Sequence, residues 1–340
     1  RGLGDVYKRQ YIHTPFCLQK CLYCDFASYA GADTETMEKY VDAVCSEIMM
    51  RSNEVTIADQ ATLYFGGGTP SLLSEKLLAK LVEALQKNGC WLQPAEATIE
   101  VNPGTADLDK LRFFKDLGFD RISFGVQSLN DAELRAVGRI HTANEALDAI
   151  TMAEKAGFTR VSADLIYGLP EQSLQTLKTS LQNLTAAGLQ HLSVYGLTIE
   201  KNTPLAGMLD KGKVELPDED CQLAMYELVQ EYLEAQGLHR YEISNYAVSG
   251  QESRHNLVYW HYLPYLSFGS SACSFNGSQR FTATDSVTDY IESIQSGKSC
   301  GGFEDLTKEM QLSEYLFMGL RTTVGIDLIE TEQRFGCDVM

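Results

Sequence analysis

The 340-residue chain is poor in positive charge, with 28 Lys and Arg against 46 Asp and Glu and a net charge of -18. Such a surface repels phosphate backbones, so nucleic acid is not an expected partner. Long apolar runs are missing as well: none approaches the roughly 18 residues that would span a bilayer. No low-complexity segment and no internal repeat beyond a strand-helix rhythm is visible. The nine cysteines are an odd number, and no secretory leader is recognisable, which argues against a disulfide framework and for reduced thiols in the cytoplasm. With 44% hydrophobic residues, the composition is that of an ordinary globular chain able to bury one large core or two unequal ones.

What is present is concentrated near the start. Cys17-x3-Cys21-x2-Cys24 follows the short stretch Tyr11-Ile-His-Thr-Pro-Phe16. Three thiolates can hold three corners of a cubane iron-sulfur cluster and leave the fourth iron open to a small molecule, whereas an electron-transfer cluster or a structural zinc site takes four ligands. The next cysteine, Cys45, is too distant to belong to the same tight loop. Two other readings stand beside this one: a zinc knuckle completed by a residue such as His13, and three unrelated buried thiols.

Short β-branched runs at 61–65, 97–101, 121–125, 161–166 and 191–195 alternate with helical patterns. Ser74 is placed to cap one helix, and Thr142 with Glu145 forms a capping-box signature before another. Including the strand at Tyr11, six βα units are expected by about residue 200, a parallel sheet with right-handed crossovers that falls short of the eight units of a closed barrel. The expected fold class is therefore α/β, a partial (β/α)6 TIM-like barrel over 11–202. An α+β region, read as truncated, is appended over 203–340, and 1–10 reads as a leader of uncertain origin. Functional residues of such a barrel belong at the carboxyl ends of its strands. The cysteine loop, Gly66-Gly67-Gly68-Thr69-Pro70, Glu100 with Asn102, and Gln127 all fall there, and Asp164 lies within the fifth strand.

A glycine triplet by itself is often a plain turn, but it lets a ligand approach the main chain closely. Glu100 and Asp164 are acids inside apolar strands, where an unpaired charge is costly. They are either strand-end residues reaching solvent or capping a helix, or carboxylates that hold a polar ligand.

The cysteine spacing, its aromatic flanks and the motifs after it resemble the radical S-adenosylmethionine (SAM) superfamily. That resemblance implies a [4Fe-4S] cluster on Cys17, Cys21 and Cys24, with the methionine end of SAM chelating the open iron and reduction cleaving its sulfonium to a 5'-deoxyadenosyl radical. It further implies that Gly67, Gly68 and Thr69 hold the methionine amino group, and that Glu100, Gln127, Arg139 and Asp164 complete the SAM site. Tyr11 would contact SAM or a nucleoside face. An electron donor is also implied.

Within the superfamily, Tyr11-Ile-His-Thr-Pro-Phe-Cys17, Phe65-Gly-Gly-Gly-Thr-Pro-Ser71, Glu100-Val-Asn-Pro-Gly104, Phe124-Gly-Val-Gln-Ser128 and Asp164-Leu-Ile-Tyr-Gly-Leu-Pro170 are similar to the oxygen-independent coproporphyrinogen III oxidase family. The likeness covers about residues 11 to 335. The dehydrogenases of that family carry a further cysteine two positions past the third, where this chain has Phe26, and an N-terminal extension absent here. Both departures favour the HemW-like haem chaperones, as does Ser253-Arg-His-Asn-Leu-Val-Tyr-Trp260. The resemblance implies haem as cargo and acceptor haemoproteins as partners, with oxidative decarboxylation of coproporphyrinogen III to protoporphyrinogen IX as the alternative activity. In an extended conformation His255 would share a face with Leu257 and Tyr259, either as part of a haem site or as a packed, hydrogen-bonded side chain; His261 is a weaker candidate. Cys273 replaces a histidine usual in the family.

Overall fold

A computed structural model describes residues 9–54, 61–91 and 94–336. The expected leader up to residue 8, and Cys337, lie outside the described residues. Fourteen strands are present among them: β1 (Arg9–Thr14), β2 (Phe16–Cys17), β3 (Tyr29–Ala30), β4 (Thr62–Gly67), β5 (Glu96–Val101), β6 (Arg121–Gln127), β7 (Arg160–Tyr167), β8 (His191–Gly196), β9 (His239–Arg240), β10 (Asn245–Ala247), β11 (Leu266–Phe268), β12 (Cys273–Phe275), β13 (Gln279–Ala283) and β14 (Gly301–Asp305). Six of them, β1, β4, β5, β6, β7 and β8, lie side by side and parallel in that order. These are the six anticipated units of a partial barrel. β1 begins two residues earlier than the pattern suggested, because Arg9 and Gln10 pair with Thr62 and Leu63.

Strands from the later part of the chain extend both edges of this sheet. β11 adds in parallel beside β1, β10 adds antiparallel beside β8, and β9 follows β10, giving the order β11-β1-β4-β5-β6-β7-β8-β10-β9. The last three strands, β12 to β14, form a separate antiparallel sheet.

Helices α1 (Thr34–Met50), α2 (Glu75–Lys87), α3 (Leu108–Asp116), α4 (Asp131–Ala136), α5 (Ala143–Lys155) and α6 (Leu174–Ala186) occupy the crossovers. Each buries one stripe. In α2 the Ser74 side chain accepts from the Leu77 amide, and Leu77, Leu78, Leu81, Val82 and Leu85 face the sheet, each contributing about 1.5–3 kcal/mol by leaving water. The Thr142/Glu145 capping box at the start of α5 forms as expected. The core runs between these stripes and the outward faces of the strands, with Leu63, Phe65, Ile99, Ile122, Phe124 and Leu192 buried. Further along come α7 (Pro204–Leu209), α8 (Glu219–Ala235), α9 (Arg254–Trp260), α10 (Val287–Gln295), α11 (Lys308–Gly319) and α12 (Leu328–Phe335). No helix among the described residues is long and apolar enough to cross a membrane.

One expectation fails outright: the segment around His255 is helical, not extended. Ser253 caps α9 through the Asn256 amide, and the Arg254 and His255 amides donate to the buried Glu96 carboxylate at 3.0 and 2.9 Å. A carboxylate across the first turn satisfies amides that no intrahelical carbonyl can reach. The partner is 158 and 159 residues away in sequence, so the helix start has no complete local signature. The Gly/Ser-rich stretch from 267 to 278 overlaps β11 and contains β12, held by pairing with β1 and β13.

Candidate functional site

Between β1 and α1 the chain makes the cysteine loop. Its ends are tied together by pairing of Phe16 with Tyr29 and of Cys17 with Ala30. Its middle is tied to the turn after α4, where the Leu22 amide donates to the Val137 carbonyl at 3.0 Å. Cys17, Cys21 and Cys24 are free, half-buried and line one cavity of about 130 Å3. Donors from other elements reach two of the sulfurs: Arg139 Nη1 lies 3.4 Å from Cys21 Sγ, and Thr69 Oγ1 lies 3.6 Å from Cys17 Sγ. Cys24 Sγ is 4.0 Å from Ser28 Oγ. Among the described residues no three His, Cys, Asp or Glu side chains close on one point as ligands of a single metal ion. The thiols instead stand around a space, and cationic and hydroxyl donors directed at their sulfurs fit thiolates carrying the negative charge of a cluster.

The opposite wall of the cavity is made by the strand ends. Gly67 has φ 109°, and a Cβ there would fall 2.5 Å from the His13 ring; at Gly68 a Cβ would fall 2.7 Å from the Phe16 carbonyl oxygen. The triplet is therefore required by backbone approach, and it leaves the main chain bare toward the cavity. Glu100 at the end of β5 accepts from the Gly67 amide at 3.1 Å and from the Tyr64 hydroxyl at 2.7 Å. Burial, assisted by the nearby Asp164 charge, pushes its carboxyl up to about 7 despite those two donors. Asp164 is likewise raised by burial, against Ser193 and Ser123, the latter donating at 3.3 Å. Arg139 donates to Asn102 Oδ1 at 3.0 Å and to the Gly125 carbonyl, and Asn102 donates to Thr69 Oγ1 at 2.8 Å. A chain of hydrogen bonds thus runs from Thr69 to Cys21. Gln127, at φ 67°, sits at a bulge that ends β6 and directs its side chain to the same cavity.

Ten of the twelve residues expected from the sequence meet in this one cavity: Cys17, Cys21, Cys24, Gly67, Gly68, Thr69, Glu100, Gln127, Arg139 and Asp164. Tyr11 lies next door. Its hydroxyl is 3.1 Å from His13 Nδ1, and its ring helps line a second cavity of about 360 Å3 that shares Phe26, Gly67 and Glu100 with the first. His255 lies elsewhere, at the amino ends of β4 and β5. Only 1% exposed, it has Nδ1 at 2.9 Å from Thr62 Oγ1 and Nε2 at 2.9 Å from the Tyr259 hydroxyl, so both ring nitrogens are engaged. Burial lowers it to about 4 and keeps the ring neutral. Sequence reasoning did not single out Tyr64 or Ser123, which hold the two acids. The available signal was period two: Tyr64 shares a face with Thr62 and Gly66, and Ser123 with Gly125, polar or small residues alternating with buried apolar ones.

Residues 11–184 match the Radical SAM superfamily. The chain is 35% identical over 334 residues to heme chaperone HemW of Bacillus subtilis, covering 97% of this chain and 87% of that protein. It is 37% identical over 324 residues to heme chaperone HemW of Synechocystis, covering 93% of this chain and 78% of that protein. Among solved structures, coproporphyrinogen III oxidase (HemN) from Escherichia coli superposes with a TM-score of 0.85 at 23% identity, covering 98% of this chain and 81% of the other; the likeness is one of fold. The three-thiol cavity at the carboxyl ends of a six-stranded parallel sheet and the similarity along nearly the whole length lead to one conclusion: the chain belongs to the radical SAM superfamily and, within it, to the heme chaperone HemW family.

Proposed function

We propose that this chain binds haem and passes it to acceptor haemoproteins in the cytoplasm, with a [4Fe-4S] cluster on Cys17, Cys21 and Cys24 and SAM beside it. The observation that carries the reading is the similarity along 97% of the chain to a protein named as a heme chaperone. It is supported by Phe26, which stands 71% exposed where the dehydrogenases of the wider family carry a further cysteine. When bound, the cluster and SAM supply one-electron chemistry at an open iron.

The chain's own residues do the holding. Gly67, Gly68 and Thr69 present bare main chain to the methionine end of SAM. The Glu100 and Asp164 carboxylates take its ammonium or ribose hydroxyls, and Gln127 and Arg139 complete the polar contacts. Arg139 has a second task, since its guanidinium spans from Cys21 Sγ to Asn102 Oδ1 and ties the cysteine loop to the strand ends. An electron donor would deliver its electron through this loop.

The test is anaerobic. Protein with its cluster reconstituted is titrated with haemin, then mixed with an apo-haemoprotein, and in parallel given SAM, a strong reductant and coproporphyrinogen III. The expected result is stoichiometric haem uptake, transfer to the acceptor, and no protoporphyrinogen IX by mass spectrometry. Protoporphyrinogen IX formed with turnover would overturn the proposal in favour of the dehydrogenase.

A further inference from the structure

The second cavity, beside the cluster pocket, has no role in holding the cluster. Its walls are aromatic, with Tyr11, Phe26, Tyr259 and Tyr265 among them, and one thiol, Cys273, faces into it. At about 360 Å3 it is the larger of the two. Tyr259 and Tyr265 meet edge to face with centroids 4.8 Å apart, which fixes their rings.

The surroundings of Cys273 are those of a metal-binding sulfur. The Tyr265 hydroxyl donates to Sγ at 3.8 Å and the Thr282 hydroxyl at 3.7 Å. Thr282 stands directly across from Cys273 in the β12/β13 ladder. Two hydroxyl donors directed at one sulfur are contacts that a metal-bound sulfur retains. Aromatic walls with one sulfur ligand at the end are suited to a flat apolar macrocycle with a metal at its centre.

We infer that the cavity walled by Tyr11, Phe26, Tyr259 and Tyr265 is the haem seat of this chain, and that Cys273 is an axial ligand to the haem iron. The inference rests on the haem-transfer reading and gives it a location. Because Phe26, Gly67 and Glu100 belong to both cavities, haem seated here lies against bound SAM, and each ligand alters the other's surroundings. Cys273 is the thiol this site uses; Cys300 and Cys90 are buried in the core.

The test titrates haemin into the full chain with its cluster loaded, comparing wild type with Cys273→Ala and Cys273→Ser, cluster absorbance serving as the control for folding. Wild type should give, after reduction and carbon monoxide, the strongly red-shifted Soret band of a thiolate-iron-carbonyl. Both variants should lose that band and bind haemin at least tenfold more weakly, while metal-free protoporphyrin IX binds all three alike. Tyr265→Phe should keep the thiolate band but shift it, through loss of a hydrogen bond to sulfur. Haemin bound with the same spectrum and affinity by Cys273→Ala overturns the ligand assignment and leaves haem transfer standing. A wild type that takes up no haemin overturns both.

Discussion

The barrel interior holds two polar clusters, one at each end of the strands, and they differ in where their hydrogen bonds go. At the amino ends, His255, Thr62, Tyr259, Glu96 and Arg160 are bonded to one another and to the first turn of α9. Arg160 and Glu96 pair at 2.8 Å with the carboxylate fully buried, and the opposing cations hold it below its usual range against the burial that would raise it. At the carboxyl ends, Glu100, Asp164 and Arg139 bond to hydroxyls, main-chain groups, Asn102 and Cys21 and not to one another, and with Gln127 every one of them lines a cavity. One cluster closes around an imidazole and the first turn of a helix, with Tyr259 alone also lining the second cavity; the other opens throughout onto the first. Tyr64 links them, its ring stacked on His255 at 5.1 Å and its hydroxyl on Glu100. Residue type alone does not separate the two, since each holds a buried acid and an arginine.

The contrast is broken most severely at the open end by removing a thiol. Cys21→Ser is expected to abolish cluster loading, read as iron per chain and visible absorbance after anaerobic reconstitution, with far-ultraviolet circular dichroism unchanged. Retention of a full cluster would remove Cys21 from the ligand set. Next in size is Glu100→Gln. Losing a hydrogen bond between charged partners costs about 1.5–3 kcal/mol, so SAM should bind roughly ten- to a hundredfold more weakly by calorimetry. An unaltered affinity would place the ammonium and ribose elsewhere.

At the closed end the expected effect falls on stability. His255→Ala leaves a cavity and two hydroxyls without their imidazole partner, which costs about 3 kcal/mol, read as a lower urea midpoint. Cluster assembly and SAM affinity of the folded variant should match wild type. A His255→Ala variant as stable as wild type, but with its haem spectrum changed, would reverse the assignment of this cluster as closed.

Much of the open site was legible because its parts come from strand ends, where a parallel sheet gathers residues far apart in sequence. Cys17, Gly67, Glu100, Gln127 and Asp164 are each recognisable locally, and the βα rhythm brings them together without knowledge of any long-range contact. The closed cluster was illegible for the opposite reason. Helix α9 starts where it does because Glu96 reaches its first amides, and nothing near residue 254 announces an acid on β5. His255 among Tyr259 and Trp260 reads as a cofactor motif until Thr62 is found against its ring. The added strands β10 and β11 were hidden in the same way, short segments ordered by the neighbours they join.

A pH profile separates the two ends by sign. His255 titrates near 4 in the folded chain, lowered by burial from 6.5, and His141, also buried, likewise falls to about 4. Below pH 6.5 the unfolded chain takes up protons that the folded chain refuses, so stability is lost as pH falls from 6.5 toward 4, by about 3 kcal/mol for each ring. Glu100 acts in the other direction. Raised from 4.5 to about 7, it holds a proton in the folded chain that the unfolded chain has released. Its contribution is therefore present below pH 4.5 and lost as pH rises through 7, again by about 3 kcal/mol in the ligand-free chain. The two windows overlap and the contributions oppose, so urea midpoints of apo protein from pH 4 to 8 read their difference. His255→Gln should lessen the loss of stability toward low pH. Glu100→Gln should deepen that loss, and so should saturating SAM in the cluster-loaded wild type, because an ammonium beside Glu100 favours its ionised form. If Glu100→Gln leaves the profile as it was, the carboxylate does not hold its proton more tightly in the folded chain, and the division into a closed end and an open end loses its electrostatic half.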